Sequence, residues 1–186
     1  VAGLAEAVDM VSGAELSAGG KSIFALPSRN RRGASNLRLS VEQFPNQFNL
    51  RESVDLVATE YGVAHLRGRT VRERALALIE IAHPDDRETL VEQAKAEHIL
   101  YPDQIYLVDR ARLYPAEIAT RHVFKDDLAV DFRAIKPSDV EDMRRLFYRF
   151  SDTSVYYRYF SPIKTMPHAK MQAYVNVDYR QTMSIV

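Results

Sequence analysis

One short stretch of this sequence has the residue types that chemistry needs. The apolar run of residues 54–59 is followed directly by Glu60, Tyr61 and Gly62. A carboxylate at the carboxyl end of a strand lies where open α/β sheets bind their ligands, so Glu60 could orient a substrate or act as a base. The alternative is a structural ion pair with an arginine of the segment that follows: Arg67, Arg69 or Arg72.

The arginines of that segment have two interpretations of their own. Arg67, Gly68 and Arg69 come just before a predicted helix start, where free backbone amides attract anions such as phosphate. Surface arginines more often pair with nearby acidic side chains and contribute little to stability. Both interpretations are open at this point.

The elements that would position Glu60 are strands. A Gly-Gly turn leads into a short apolar strand at residues 22–26, which ends at Pro27. The alternation of apolar and polar residues in 36–44 predicts an edge strand or a half-buried one. The continuous apolar centre of residues 54–60 predicts a strand that is buried on both faces.

Two helices follow these strands, and the sequence indicates where both begin. Thr70 and Glu73 form a capping box, which predicts a helix start. His83 and Pro84 end that helix and begin a second one, because a residue before proline avoids the helical conformation and proline suits a first helical turn. The second helix is predicted to run to about Glu97. The apolar face of the first helix is predicted to contain Val71, Ala75, Leu78, Ile79 and Ala82.

The second half of the chain is predicted to begin with a connector. Residues 101–108 could form a short strand, and the residues after them show no clean period. Residues 130–135 alternate as a strand does, and Ser138–Glu141 has the pattern of a second capping box. A helix with an apolar stripe follows, and then helices on either side of a bend at 162–167. Residues 182–186 begin another strand.

Composition argues against several classes of function. The chain has 186 residues, 46% of them hydrophobic, and 25 basic residues balance 25 acidic ones. A zero formal charge is unusual for a duplex-binding domain, so we expect no nucleic-acid partner. There is no cysteine, which agrees with a cytoplasmic protein, and the five histidines lack metal-binding spacing, so no metal is expected. No apolar run reaches the ~18 residues of a membrane span, and we expect no membrane partner.

Three segments together resemble a known family. GAELSAGGKSIFALPS, VDLVATEYGVAHLRGRTVRERALALIEIAHPDDRETL and EQAKA are similar, in order and spacing, to the C-terminal domain of the acetyl-CoA hydrolase/transferase family, the glutamate-dependent CoA-transferases. The resemblance covers residues 1–107. It implies an α/β fold with an open sheet of three-layer αβα character. We predict this domain at 1–108 and a connector at 109–129.

The last segment resembles a different family. VDFRAIKPSDVEDMRRLFYRFSDTSVYYRYF is similar to the opening of a GNAT-family N-acetyltransferase. This resemblance implies a truncated, partial α+β domain at 130–186, with the first strand, two helices and the entry to a second strand. A CoA-transferase module followed by a GNAT module is a known domain order, so the two resemblances support each other.

The first resemblance implies covalent catalysis with CoA and acetyl-CoA as substrates. In that family an active-site glutamate attacks an acyl-CoA and becomes a glutamyl-CoA thioester, and an acceptor carboxylate then takes the CoA. The match gives Glu60 the role of a supporting carboxylate rather than the nucleophile, with Tyr61 packed or hydrogen-bonded beside it. The segments that would line the CoA pocket contain Gly3, Gly13, Gly19, Gly20, Lys21 and Ser28.

Departures from the two family patterns bear on activity. No glutamate of this sequence fills the nucleophile's role, and Ala5 and Glu6 stand where the family has a glycine pair facing the thioester oxygen. The phosphate-cradling turn of acetyltransferases does not occur in 130–186 either. We therefore expect this chain by itself to catalyse neither reaction.

These features leave three functions open. The first is a cytoplasmic, homo-oligomeric CoA-transferase or acyl-CoA hydrolase that acts on acyl-CoA and short carboxylates, fused to an acetyltransferase module whose target is a protein or an amine. The second is a non-catalytic domain that senses acyl-CoA or a nucleotide and regulates the attached acetyltransferase. The third is a subunit interface built on the aromatic cluster Tyr156, Tyr157, Tyr159 and Phe160.

Overall fold

The computed structural model describes residues 4–40, 53–106 and 113–186, with side chains from residue 7 onward. The chain divides into two compact units, Val1–Pro102 and Asp103–Val186. Each unit combines helices with a small sheet, so the predicted mixed α/β class is confirmed. The GNAT character of the second half stays a prediction.

The sheet of the first unit brings two strand ends together. Its strands lie in the order β1-β2-β3: β1 (Ile23–Ala25), β2 (Leu56–Thr59) and β3 (Gly62–His65). β1 and β2 are parallel, with Ala25 opposite Ala58, so their carboxyl ends lie at the same edge of the sheet. β2 and β3 are antiparallel and are joined by Glu60 and Tyr61. Glu60 therefore lies in a hairpin turn at that edge.

The sequence predicts β1 and β2, and the structure confirms both. Val57 is the only buried residue of β2, however, so the expected burial on both faces is wrong. β3 is missed, because Ala64 is its only buried residue and its apolar pattern is too weak to be recognised. The strand predicted at 36–44 is wrong for residues 36–40, and its remainder lies outside the described residues.

A helix at the start of the chain is absent from the sequence-based expectations. α1 (Leu4–Leu16) runs through an Ala- and Gly-rich segment with a weak apolar pattern. It is followed by a turn in which Gly19 has a φ of 73°. Gly20 approaches α1 so closely that a Cβ there would lie 2.0 Å from the carbonyl oxygen of Ala14. These two glycines are thus required by the turn itself.

Two consecutive helices follow β3, as predicted. α2 (Val71–Glu80) begins with the expected capping box, and α3 (Pro84–Ala96) begins at the expected proline. The predicted apolar face of α2 is wrong in part, because Val71 is 69% exposed. Ile79 and Ala82 are buried as predicted, whereas the burial of Glu73 and Leu76 was not predicted.

The capping box gives a prediction for stability. Thr70 accepts a hydrogen bond from the Glu73 amide at 3.3 Å, and its hydroxyl donates to Glu73 Oε2 at 2.7 Å. We expect Thr70→Ala to lower the free energy of unfolding by about 1–2 kcal/mol, because an N-cap and a partner of a buried carboxylate are lost together. Urea unfolding followed by circular dichroism measures this, with the exposed Thr165→Ala as control. Equal effects of the two substitutions would contradict the prediction.

The second unit begins with a hairpin. β4 (Thr120–Val123) and β5 (Ala129–Phe132) are antiparallel, and a 3₁₀ turn (Lys125–Asp127) lies between them. β5 agrees with the predicted strand at 130–135, whereas β4 lies in a segment that the sequence did not resolve into elements. Further along, Ala134 bridges Ile185 in antiparallel fashion, which agrees with a strand beginning at 182–186.

The helices of this unit mostly confirm the sequence pattern. They are α4 (Val140–Phe147), α5 (Asp152–Tyr159) and α6 (His168–Val175), and the predicted bend separates the last two. The second capping box stays a prediction. Ser138 lies in a 3₁₀ turn, in which the Asp139 carboxylate accepts the Lys136 amide at 2.7 Å and two N–H groups of Arg133 at 2.7 and 2.8 Å. Among the helices that the structure describes, none is long and apolar enough to cross a membrane.

The side chain of a fully buried glutamine forms hydrogen bonds with the first residues of this unit. Gln172 on α6 accepts hydrogen bonds from Gln104 Nε2 at 2.8 Å and from the Ile105 amide at 2.6 Å. Its own Nε2 donates to the Asp103 carbonyl at 2.6 Å. Gln172 is 0% exposed, so water cannot replace these partners while the helix stays in place.

Replacing this glutamine should therefore be costly. We expect Gln172→Leu to lower the free energy of unfolding by about 2–3 kcal/mol, because it leaves buried polar groups without partners and each costs about 1–3 kcal/mol. Thermal unfolding measures the effect. Gln181→Leu, at an exposed position, serves as the matched control. An unchanged midpoint for Gln172→Leu would refute this account of the buried amide.

Candidate functional site

The Glu60 carboxylate is fixed by one residue of the neighbouring strand connection. Ser28, just beyond β1, donates its amide N–H to Glu60 Oε2 at 2.9 Å and its hydroxyl to Glu60 Oε1 at 2.6 Å. Ser28 is 0% exposed, whereas Glu60 is exposed as a residue. One side of the carboxylate is thus anchored to the protein and the residue still reaches the surface.

These hydrogen bonds favour the ionised carboxylate. The Ser28 hydroxyl, followed by the Ser28 amide, lowers the pKa of Glu60 below its ordinary value. A carboxylate of this kind is a stable negative charge and an acceptor of hydrogen bonds. It is poorly suited to donate a proton.

The turn is also tied to the junction between α2 and α3. Thr59 Oγ1 donates to the Ile81 carbonyl at 2.6 Å and accepts the Tyr61 amide at 3.1 Å. The ring of Tyr61 lies edge-on to the ring of His83, with 5.4 Å between the centroids. His83 in turn accepts the Asp85 amide at Nδ1, which caps the start of α3.

A bidentate ion pair lies beside this turn. Arg29 donates to Asp86 Oδ2 at 2.9 Å and to Oδ1 at 2.6 Å, and its Nη1 lies 3.6 Å from Asp85. The Arg29 side chain is 30% exposed and that of Asp86 is 20% exposed. The hydrogen bond from Arg29 lowers the pKa of Asp86, so both members of the pair are charged at neutral pH.

An open cleft adjoins this ion pair. It has a volume of about 430 Å³ and lies between residues 34–40 and α3, with Asp86, Thr89 and Gln93 on the helix side. A cavity of this size is in the range of small-molecule sites. In the described ranges, no cluster of three or more histidine or acidic side chains could hold a metal ion.

The structure decides between the two interpretations of the arginine-rich segment. Arg67 pairs with Asp55 at 3.1 Å, and Arg69 lies 3.6 Å from Glu73. The capping box takes the Glu73 amide, and each of the two arginines has an acidic partner, so the ion-pair interpretation describes Arg67 and Arg69 better than the anion site does. Glu60, in contrast, accepts its hydrogen bonds from Ser28. The predicted ion pair of Glu60 with Arg67, Arg69 or Arg72 is therefore wrong.

The predicted CoA-binding residues fall at two places. Ser28 lies directly against Glu60, at the carboxyl end of β1. The others that the structure describes lie within α1 or between α1 and the amino end of β1: Gly13, Gly19, Gly20 and Lys21. Gly3 lies outside the described residues. The structure thus brings Ser28, Glu60 and Tyr61 together, and the remaining assignments stay predictions.

Sequence reasoning missed four neighbours of the turn: Arg29, His83, Asp86 and Arg87. From the sequence, His83 is predicted as a helix boundary and not as part of the site. Arg29 and Asp86 are 57 positions apart, and no local pattern predicts that they pair. The one usable signal was the sequence His83-Pro84, which locates a helix start behind the β2–β3 turn.

The Ser28 hydrogen bonds predict a change in titration. In Ser28→Ala the pKa of Glu60 should rise toward its ordinary value, because the donor that lowers it most is gone. A carboxylate with a lowered folded-state pKa contributes stability above its ordinary pKa and loses it as the pH falls through the lowered one. The loss of stability on acidification should therefore be smaller in Ser28→Ala than in the wild type.

The ¹³C resonance of the Glu60 side-chain carboxyl measures that pKa directly. Ser12→Ala, at an exposed position in α1, is the matched control and should leave the titration unchanged. A Glu60 titration that is identical in Ser28→Ala and the wild type would show that the hydrogen bond from the Ser28 hydroxyl does not form in solution.

A mixed α/β unit with an anchored carboxylate at the carboxyl ends of parallel strands is the architecture of a ligand-binding domain. The family profile of the acetyl-CoA hydrolase/transferase C-terminal domain matches residues 1–94. The chain therefore belongs to the acetyl-CoA hydrolase/transferase family through this C-terminal domain, which confirms the first resemblance.

Several known proteins are similar to about half of the chain. The 4-hydroxybutyrate coenzyme A transferase of Clostridium kluyveri is 46% identical over 96 residues, which are 51% of this chain and 22% of that protein. The succinyl-CoA:acetate/propanoyl-CoA:succinate CoA transferase of Fasciola hepatica is 42% identical over 89 residues, which are 47% of this chain and 19% of that protein. The solved structure of the 4-hydroxybutyrate CoA-transferase of Porphyromonas gingivalis is 41% identical and has a TM-score of 0.40. The match covers 50% of this chain and 22% of that one. The chain thus spans about a fifth of the length of the curated relatives it matches.

Proposed function

We propose that residues 1–94 are part of a CoA-transferase that moves CoA between short acyl-CoA thioesters and carboxylates. The names of the curated relatives describe CoA transfer, and the family profile matches the residues 1–94, which include Glu60. The observation that carries the proposal is the Glu60 carboxylate, held by Ser28 at 2.6 and 2.9 Å where two parallel strands end.

The role that we propose for Glu60 is that of a supporting carboxylate. Both of its oxygens accept hydrogen bonds from Ser28, which lowers its nucleophilicity as well as its pKa. A fixed negative charge can accept a hydrogen bond from the substrate and can orient a reacting carboxylate by repulsion. Tyr61 would pack beside that substrate. The nucleophile that forms the thioester would be a glutamate outside this sequence.

The CoA-binding segment is a further part of the proposal. The resemblance implies that CoA contacts the glycine-rich region before β1, that is Gly3, Gly13, Gly19, Gly20 and Lys21. Ser28 would then have an indirect role, since its hydroxyl and amide are already bonded to Glu60. We also propose that the parent protein is cytoplasmic and homo-oligomeric. The domain limits that we propose are 1–108 and 130–186.

Residues 130–186 are proposed to open a GNAT-like module. The support is the order of elements: β5, then α4 and α5, then a return of the chain to the first strand at Ala134 and Ile185. The Arg133 amide donates to the Val186 carbonyl at 2.9 Å, and the Ile135 amide donates to the Ser184 carbonyl at 2.9 Å, so the two segments pair in antiparallel register. An acetylation target would be a protein or an amine.

A chimeric enzyme tests the transferase proposal. Residues 1–94 would replace the matching segment of the Clostridium kluyveri transferase, and transfer of CoA from acetyl-CoA to 4-hydroxybutyrate would be followed by chromatography. We expect the chimera to be active and Glu60→Gln to lower kcat about 100-fold, the loss typical of a misplaced reacting group. Glu92→Gln, exposed on α3, is the control and should retain activity.

The same chimera separates transferase from sensor. An inactive chimera that still binds acetyl-CoA in a calorimeter would contradict the transferase proposal and would favour a non-catalytic acyl-CoA sensor. Full activity of Glu60→Gln would contradict the supporting role of that carboxylate, even if the chimera itself is active.

A further inference from the structure

A second charged residue near the turn has an unusual environment. Arg87, in the second turn of α3, is 3% exposed. Its Nε donates to the Ala82 carbonyl at 2.8 Å, and its guanidinium lies 5.6 Å from the centre of the Tyr61 ring. Among the residues that the structure describes, no carboxylate lies within ion-pair distance of it.

The acidic residues closest in sequence are committed elsewhere. Asp86 forms two hydrogen bonds with Arg29, and Asp85 lies near Arg29 and His83. Glu60 is held by Ser28. The other charged residues of the turn thus have partners of opposite charge or strong donors, and Arg87 differs from them.

A buried cation without an anion is costly. Removing one charge from water costs several kcal/mol unless a partner of opposite charge compensates. The Ala82 carbonyl lies beyond the end of α2, where the helix dipole is negative, and the Tyr61 ring attracts a cation through its face. These contacts offset part of the cost, but Ala82 takes only one of the five N–H donors that an arginine carries.

We propose that Arg87 binds the carboxylate group of the acceptor acid, next to the Tyr61 ring. This inference rests on the proposed transferase function and names a substrate-binding residue for it. A guanidinium offers two parallel N–H groups that match the two oxygens of a carboxylate. Glu60 lies one residue before Tyr61, and its negative charge would repel the carboxylate of the acceptor acid and so direct that acid to Arg87.

The depth of Arg87 favours a carboxylate over a phosphate. A carboxylate carries one negative charge and neutralises one guanidinium. A phosphate monoester carries about 1.5–2 negative charges near neutral pH, so a buried excess of charge would remain. Tyr61 is 40% exposed and its ring centre lies 5.6 Å from the Arg87 guanidinium, so we propose that rotation of this ring gives the acid access to Arg87.

Direct binding to this chain tests the inference. The Arg87 Nε–Hε resonance would be followed by ¹H–¹⁵N NMR during titration with sodium acetate, and separately with sodium phosphate, at constant ionic strength. We expect a saturable shift with acetate only. Arg87→Met should raise the dissociation constant for acetate at least tenfold, and Arg87→Lys should raise it less, because the charge remains while the two-pronged geometry is lost. For these variants, binding is followed on the Tyr61 ring resonances.

Arg145→Met is the control, since Arg145 is exposed and pairs with Asp142 at 3.0 Å on α4. It should leave acetate binding unchanged. Saturation with phosphate but not with acetate, or no saturable shift with either, would overturn the proposal. Acetate binding in Arg87→Met equal to that of the wild type would overturn it too. A chimera without transferase activity leaves this binding measurement unaffected, so the two proposals fail separately.

Discussion

The first unit depends on a contact between two strand ends that are distant in sequence. Ser28 follows β1 and Glu60 follows β2, and the two hydrogen bonds between them span 32 positions. Parallel pairing of β1 with β2 is what makes the contact possible, because it brings both carboxyl ends to one edge. In return, the contact satisfies the Ser28 amide and hydroxyl, which are fully buried and would otherwise lack partners.

The electrostatics of this edge follow from the same arrangement. Glu60 and Asp86 both have a lowered pKa, one through the Ser28 donors and the other through Arg29, so both stay ionised at neutral pH. Glu60 keeps contact with solvent, whereas Asp86 is neutralised by its arginine partner. The turn therefore presents one fixed negative charge at its surface, and the guanidinium of the buried Arg87 lies 5.6 Å from the centre of the Tyr61 ring.

The features that were predicted from the sequence are the local ones. The capping box at Thr70, the proline start of α3 and the strand before Glu60 each depend on residues within a few positions of one another, and the structure confirms them. β3 was missed because its pairing with β2 rather than an apolar pattern defines it, and α1 was missed because its apolar period is weak. The ion pair between Arg133 and Asp139 was not predicted either, although the two residues are only six positions apart.

The site was predictable only as far as its residues are adjacent in the chain. Glu60 and Tyr61 could be selected from their position after an apolar run, and Ser28 entered through the family resemblance. The pair Arg29–Asp86 and the burial of Arg87 depend on how α3 packs, which no short segment encodes. The amino-acid composition does not reveal the environment of Arg87 either, because equal numbers of basic and acidic residues do not show which arginines form ion pairs.

The segment Thr59-Glu60-Tyr61-Gly62 contacts three different parts of the first unit. Thr59 binds the Ile81 carbonyl at the end of α2, Glu60 binds the connection after β1, and Tyr61 packs on His83 at the start of α3. Gly62 has a φ of 140°, a conformation that other residues adopt only with strain, and it allows β3 to begin directly after a turn of two residues. Because each position has a different neighbour, the order of these residues matters as much as their types. A carboxylate at any other position of the turn would lose its contact with Ser28, and with it the fixed charge on which the proposed chemistry depends.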